Sequence, residues 1–410
     1  MILSDLEKAM AGGEYGAGIR KCMDILIKFG EAFGIDRMVP LSSAHTMPKE
    51  PPELLREMTE GVSQTGTFTT LHPLMSAFSP RSWKQMGIPE TFAAGELSDC
   101  EEREAFYRQA GFYQTYTCLP MLVGNFPRKG QFVSWIGTGA QLLVNSLVGA
   151  RCNRDGTIVN LASAIVGRAP YGGLFLDENR YADMLVTLDG VDPTTLSHTQ
   201  LGAIGYHVGA KAGNHNIVMD NLPDNLDFNQ LKYLIAPLSV SGSVSICHIA
   251  GLTPEAPTVE AALNRRKPSE VITVGADEIQ EALSQYSGDW NDVDMAIFGC
   301  PHCTVPEAKL LASLLEGKRI ADAKRLWFGM PYQLYYLAQQ MGYVRVVEDA
   351  GGVFASACMA MIPDAPIPEG IKTIATNSFK AAHYITRLTK GAVKVIIGDM
   401  ATCVQAVTNR

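Results

Sequence analysis

The chain is predicted to be an α/β protein of several domains, with parallel or mixed sheets covered by helices. Three observations carry that prediction. The C-terminal part alternates β-type apolar runs with amphipathic helical stretches. The length of 410 residues exceeds one ordinary domain. A composition of 47% hydrophobic and 19% charged residues is that of a folded globular chain. With 38 glycines and 22 prolines it is neither collagenous nor of low complexity.

Taken in order, residues 1–35 read as helices, because Leu6, Met10, Ile19, Met23, Leu26, Ile27 and Phe33 recur at roughly helical spacing. Leu41–His45 reads as a short strand entering a polar loop. The stretch from Phe68 to Trp83, rich in Pro, Ser and aromatics, reads as irregular and site-forming. A helix over Glu101–Ala110 leads into Tyr113–Cys118, a strand-like run ended by Pro120. Then VITVGADEIQEALSQYS, DVDMAIFGCPHCTVPEAKLLASLLEG, KRLWFGMPYQLYYLAQQMG, KTIATNSFKAAHYITRLTKG and VKVIIGDMATCVQAVTN each give a β-run, a loop and a helix. Such a sheet binds ligands at the carboxyl ends of its strands. A soft boundary near Arg265–Ser269 divides an N-terminal region, 1–268, from a C-terminal domain, 269–410.

Charge and hydropathy exclude some partners. A net charge of −8 lacks the basic footprint of a nucleic-acid binder. Asp5, Glu7 and Lys8 interrupt any signal peptide. The uncharged run Tyr233–Pro254 is long enough to span a bilayer, but Pro237, Gly242, His248, Gly251 and four serines favour a buried strand-turn-strand or strand-helix segment. No membrane association and a cytoplasmic location are therefore expected. Nine cysteines without an export signal are expected to stay reduced.

The thiols carry the first chemistry. Cys300-Pro301-His302-Cys303 lies between a β-run and a helix start, where the helix dipole favours thiolate. A dithiol, a metal half-site and plain core packing all remain open for this CxxC. Cys118 and Cys358 fall in comparable loops, and three separated thiolates suit an iron–sulfur cluster with one open iron. Cys22 and Cys247 suit core packing better, and Cys100, Cys152 and Cys403 offer no clear case. Anion binding is the second theme. Asn145, Ser146, Arg151 and Arg154 cluster around a glycine turn, and Asn377, Ser378 and Lys380 lie between a strand and a helix. A salt-bridge loop and plain helix capping are the bland alternatives. His45, beside Ser43, is a general acid/base candidate. GxGxxG, GxxxxGK[ST], HExxH and GxSxG patterns are all absent, so nucleotide cofactors, metalloprotease and α/β-hydrolase chemistry lack support.

With SSAH at 42–45, TCLPMLVGNFPRKG at 117–130, NSLVGARCNRDG at 145–156 and LDENR at 176–180, the chain resembles the large subunit of the aconitase X family. SGSVSICHIAGLTPE at 241–255, GCPHCT at 299–304, ACM at 357–359 and TNSFKAAHY at 376–384 continue the same order. The resemblance implies an aconitase-like multi-domain fold with a cluster at the domain interface. It implies an iron–sulfur-dependent hydro-lyase of a small hydroxy acid, cis-3-hydroxy-L-proline first and (R)-5-phosphomevalonate second. Carried over by motif, Cys118, Cys300 and Cys358 would hold the cluster, with Cys303 in reserve; 4Fe–4S, 3Fe–4S and 2Fe–2S forms all stay open. Ser43, His45 and Lys380 would be catalytic, and Asn145, Ser146, Arg151, Arg154, Asn377 and Ser378 would hold a small anionic substrate. Since the sequence ends at Arg410 without a swivel domain, a separate small subunit supplying a serine base is expected.

One segment departs from the family pattern. Where the family carries a Glu-Ser pair after a Trp, this chain has Trp135-Ile136-Gly137-Thr138. Losing a carboxylate there points to a changed substrate, and keeps open a non-catalytic cluster protein in a redox or sensor role. A dithiol oxidoreductase using Cys300 and Cys303 is the third reading.

Overall fold

A computed structural model describes residues 1–73, 86–88, 101–359, 368 and 370–409. Cys100, Arg410 and the part of the expected irregular stretch beyond Pro73 lie outside the described residues. The chain forms two compact units, one of residues 1–74, 98–181 and 253–255, the other of the remainder.

The N-terminal unit opens on helices Asp5–Gly12 and Ala17–Ala32. Ser4 starts the first with a reciprocal capping box to Glu7. The second turns Cys22, Met23 and Leu26 into the core, the expected apolar stripe. β1 (Met38–Pro40) pairs antiparallel with β6 (Arg168–Pro170). Between them β2 (Ser43–Thr46), β3 (Phe68–Leu71), β4 (Phe132–Trp135) and β5 (Arg151–Cys152) form a parallel sheet in the order β3-β2-β4-β5. The expected helix over Glu101–Ala110 is present from Glu101 to Gln109. The strand expected at Tyr113–Cys118 is not: only Tyr113 bridges to Thr70, because Tyr116 takes a positive φ of 43° and turns the backbone away.

The C-terminal unit holds two parallel sheets. β7 (Met184–Leu188), β8 (Ile217–Met219), β9 (Cys247–Ile249) and β10 (Glu270–Val274) stand in the order β10-β7-β8-β9. Residue 268 leads directly into β10, whose Glu270 pairs with Met184 of β7. β11 (Met295–Phe298), β12 (Arg325–Gly329), β13 (Val353–Ala355), β14 (Thr373–Thr376) and β15 (Lys394–Ile397) form the second, in the order β13-β12-β11-β14-β15. All five expected β-loop-α units are present. The uncharged run is neither strand-turn-strand nor strand-helix: it is the helix Phe228–Ser241 followed by β9. A continuous apolar run cannot separate a buried helix from a buried strand, and Asp227 decides the matter by capping the helix with Gln230. No helix among the described residues is long and apolar enough to cross a membrane.

Helices His198–Ala212 and Phe228–Ser241 pack backbone to backbone through Gly205. A Cβ built there would stand 1.9 Å from the carbonyl oxygen of Leu234. Helix propensity favours alanine over glycine by about 1 kcal/mol, whereas overpacking of this kind costs roughly 1–3 kcal/mol. The clash wins. Gly205→Ala is therefore expected to lower the denaturant midpoint; a raised midpoint would show that the two helices move apart freely.

Candidate active site

In the C-terminal sheet the chain runs outward from β11 to β12 and β13, then returns to lay down β14 and β15 on the other side. β11 and β14 are neighbours whose following loops diverge, and such a switch point opens a crevice at the strands' carboxyl ends. The loop after β11 carries Cys300, His302 and Cys303; the loop after β14 carries Asn377 and Ser378. Ser378 Oγ joins them by donating to the Cys300 carbonyl, while accepting from Ala381 N at 3.1 Å as the helix N-cap. Capping and bridging are thus one residue's work. His302 Nε2 donates to the Ala357 carbonyl at 2.9 Å, tying the loop of Cys358 to that of Cys300. Burial pushes the His302 imidazole down to about 4, so it binds there as a neutral donor.

The two thiols of the CxxC differ. Cys303 is fully buried within the core formed with Phe298, Ala308, Leu311 and Phe328. Cys300 and Cys358 keep small exposures of 7% and 9% at the strand ends. Cys22 and Cys152, buried elsewhere, are pushed up to about 12, and Cys247 and Cys403 are raised still further by burial. These four pack as inert thiols. Lys380 is buried in the helix that Ser378 caps.

Beneath the crevice lies an ion pair that sequence reasoning missed. Lys232 Nζ meets Glu307 Oε2 at 2.5 Å, and both side chains are buried. Oε2 also accepts from Thr304 N at 2.8 Å, closing a capping box, while Tyr233 OH donates to Oε1 at 2.7 Å. Asn377 Nδ2 donates in turn to Tyr233 Oη at 2.7 Å. Burial alone would raise the Glu307 carboxyl; the Lys232 charge and these hydrogen bonds outweigh it and hold the group below the ordinary carboxylate range.

The sheet of the N-terminal unit has its own switch point, between β2 and β4. His45, fully buried on β2, has Nδ1 2.9 Å from Thr70 Oγ1, and Asn125 Nδ2 donates to Thr70 Oγ1 and to the Ala44 carbonyl, each at 2.9 Å. Trp135 Nε1 donates to Ser43 Oγ at 3.1 Å. The His45 ring stands 5.6 Å from His72 and 6.1 Å from Trp135. Burial first, then the neighbouring His72, holds His45 well below 6.5. Gly137, in the segment after Trp135, has a φ of +91°, and a Cβ there would stand 2.8 Å from the His72 ring. An imidazole fills the space that a side chain at 137 would need. Sequence reasoning had not singled out His72.

The expected anion loop is largely committed to its own shape. Asn145 Nδ2 donates to the Cys152 carbonyl, and its Oδ1 accepts from Cys152 N and Arg180 Nη1. Arg180, which sequence reasoning also missed, meets Glu255 at 2.5 Å and also donates to the Ala150 and Leu174 carbonyls. Arg151 pairs with Asp177 and donates to the Phe175 carbonyl. Ser146 is buried in the helical turn Val144–Val148, and Arg154 is exposed beyond β5. Ser43, His45, Cys118, Asn145, Ser146, Arg151 and Arg154 belong to the N-terminal unit; Cys300, Cys303, Cys358, Asn377, Ser378 and Lys380 belong to the C-terminal one. Cys118 is half-buried, and among the described residues no three His, Cys, Asp or Glu side chains cluster as a metal site.

Models of the aconitase X first, second and third domains match residues 1–178, 182–284 and 293–409. The chain is 34% identical to the phosphomevalonate dehydratase large subunit of Methanocaldococcus jannaschii, over 98% of each chain. It is 33% identical to that of Thermococcus kodakarensis, over 94% of this chain and 95% of the relative. A cis-3-hydroxy-L-proline dehydratase of Hypocrea jecorina is 30% identical, matched over 98% of this chain and 68% of that protein. The crystal structure of Thermococcus kodakaraensis aconitase X in its holo-form superposes with a TM-score of 0.85 at 30% identity, covering 99% of this chain and all of that one. These relatives named as dehydratases are hydro-lyases.

The neutral His45 gives a pH signature. Its folded pKa is depressed, so as pH falls the unfolded chain takes up the proton first, near the ordinary value of about 6.5. The contribution is intact above that pH and is lost progressively below it. By NMR the His45 Cε1–H resonance is expected to stay constant from pH 8 to 5, and His45→Gln to reduce the loss of stability over that range; titration of His45 near 6.5 would contradict the buried, neutral assignment.

Proposed function

Because the chain belongs to the aconitase X family, we propose that it is the cluster-bearing large subunit of a dehydratase acting on a small hydroxy acid. The observation that carries this reading is the bonded pair of cysteine loops at the C-terminal switch point: Ser378 to the Cys300 carbonyl and His302 to the Ala357 carbonyl. The donor set suits an iron–sulfur cluster, since soft thiolates are its ordinary ligands. Cys300 and Cys358 would supply two ligands from the C-terminal unit and Cys118 a third from the N-terminal unit. Cys303, packed in the core, is the weaker choice within the CxxC. Bound by these thiols, the cluster would supply a Lewis-acidic iron to the substrate's hydroxyl.

The chain's own residues would do the rest. Dehydration removes a proton from one carbon and a hydroxyl from its neighbour, leaving a C=C bond and water. Lys380 would position the substrate carboxylate beside the crevice while Ser378 holds the Cys300 loop in place, and neutral His45 with Ser43 would offer hydrogen bonds without adding charge. The relatives named as large subunits support a small partner, which would bring the serine base and exclude water on closing.

Two substrates fit. Arg151 already faces Asp177, which favours cis-3-hydroxy-L-proline, a substrate with no phosphate to neutralise. The full-length similarity to phosphomevalonate dehydratase large subunits favours (R)-5-phosphomevalonate. Anaerobic reconstitution is expected to give broad visible iron–sulfur absorption that Cys118→Ser, Cys300→Ser and Cys358→Ser each abolish and Cys303→Ser leaves. With the small subunit present, one of the two hydroxy acids should be dehydrated. A colourless reconstituted chain, or absorption surviving all three of the first substitutions, would refute the reading.

A further inference from the structure

A cavity of about 240 Å³ lies within the C-terminal unit, beside the carboxyl ends of β14 and β15. His198, Thr199, Glu307, Leu310, Asn377 and Met400 line it. Asn377 and Thr199 are 4% and 7% exposed, and among the described residues neither Asn377 Oδ1 nor Thr199 Oγ1 has a hydrogen-bond partner. Buried polar atoms without partners are costly. Two of them, on residues that line one cavity, mark a place where a ligand group completes the structure.

The polarity of that place follows from a chain of donors. An ionised carboxylate only accepts. Glu307 is kept ionised by Lys232 at 2.5 Å, and its Oε1 takes the single phenolic proton of Tyr233. Tyr233 Oη then has only lone pairs to offer, so the amide group 2.7 Å away must present its nitrogen. Asn377 is thereby turned with Nδ2 inward and Oδ1 left over for the cavity. Reversing the amide would set two oxygens face to face with no proton between them. His198, stacked on the Tyr233 ring at 4.8 Å and 15°, holds the phenol in line.

We propose that the Lys232–Glu307 pair is a positioning device acting through Tyr233. It fixes Asn377 as an acceptor, so Oδ1 pairs with a small ligand group bearing N–H or O–H donors and not with a bare anion. Thr199 Oγ1 can accept a second proton from the same group. At Asn377 Oδ1 a secondary ammonium or a hydroxyl qualifies; a carboxylate or phosphate does not. This gives Asn377 the opposite polarity to the anion-binding role expected from its loop. It deepens the dehydratase reading by naming what the flank of that crevice recognises, and rests on that reading only for the ligand being the substrate.

The test needs neither cluster nor partner subunit, so its failure is separate from failure of the dehydratase reading. With asparagine selectively ¹⁵N-labelled, the Asn377 side-chain amide is identified by its disappearance in Asn377→Asp. In the parent chain it should exchange slowly with solvent. In the double variant Lys232→Met, Glu307→Leu both charges are gone, and replacing a buried pair with apolar residues is commonly tolerated. Tyr233 then lacks its acceptor and donates to Asn377 Oδ1; the amide turns over, and its exchange should accelerate at least tenfold while the Tm shows a folded protein. Tyr233→Phe should act in the same direction. Unchanged exchange in either folded variant overturns the proposal. In the parent chain, methylammonium chloride should shift the Asn377 resonance and sodium formate should not. The reverse selectivity, or no shift with either, overturns it as well.

Discussion

The strand ends of the C-terminal sheet depend on one buried carboxylate. Glu307 cannot be ionised in the interior without donors, and it has them from Lys232, Tyr233 and Thr304. Those donors reach into the long helix before β9, into the cysteine loop and, through Tyr233, into the loop of Asn377. Both banks of the crevice therefore share one ionic anchor. Removing a single partner from such a pair costs about 3–5 kcal/mol. Arg180 does comparable work in the N-terminal unit, where its guanidinium joins Glu255 to the carbonyls of Ala150 and Leu174.

Each unit sets its chemistry at a switch point of a parallel sheet, but with different groups. The N-terminal unit gathers imidazoles and hydroxyls: His45, His72, Ser43 and Thr70. The C-terminal unit gathers thiols and a capping serine. Gly137 shows how the first set is made compact. A glycine at positive φ lets His72 stand where a side chain would otherwise be.

The alternating C-terminal units, the loops carrying Cys300, Cys358 and Ser378, and the apolar stripe of the second helix were all legible in the sequence, because each is local. Period, capping and turn chemistry operate over a few residues. The ion pairs were not legible. Lys232 and Glu307 lie far apart in sequence, as do Arg180 and Glu255, and nothing in either neighbourhood announces the partner. Lys232 sits at the edge of an uncharged run that periodicity could not assign to helix or strand. Tyr116 broke an expected strand through a positive φ that bulky residues rarely adopt. His72 closes on Gly137 only after β3 and β4 are placed on either side of β2.

The central claim is that a cluster held by this chain engages the hydroxyl of its substrate. The direct measurement is electron–nuclear double resonance on the reduced, anaerobically reconstituted chain, in complex with its small subunit, using substrate labelled with ¹⁷O at the hydroxyl. A ¹⁷O coupling to the cluster is the predicted result. A cluster whose spectrum is the same with labelled and unlabelled substrate, in a complex that turns that substrate over, would contradict it.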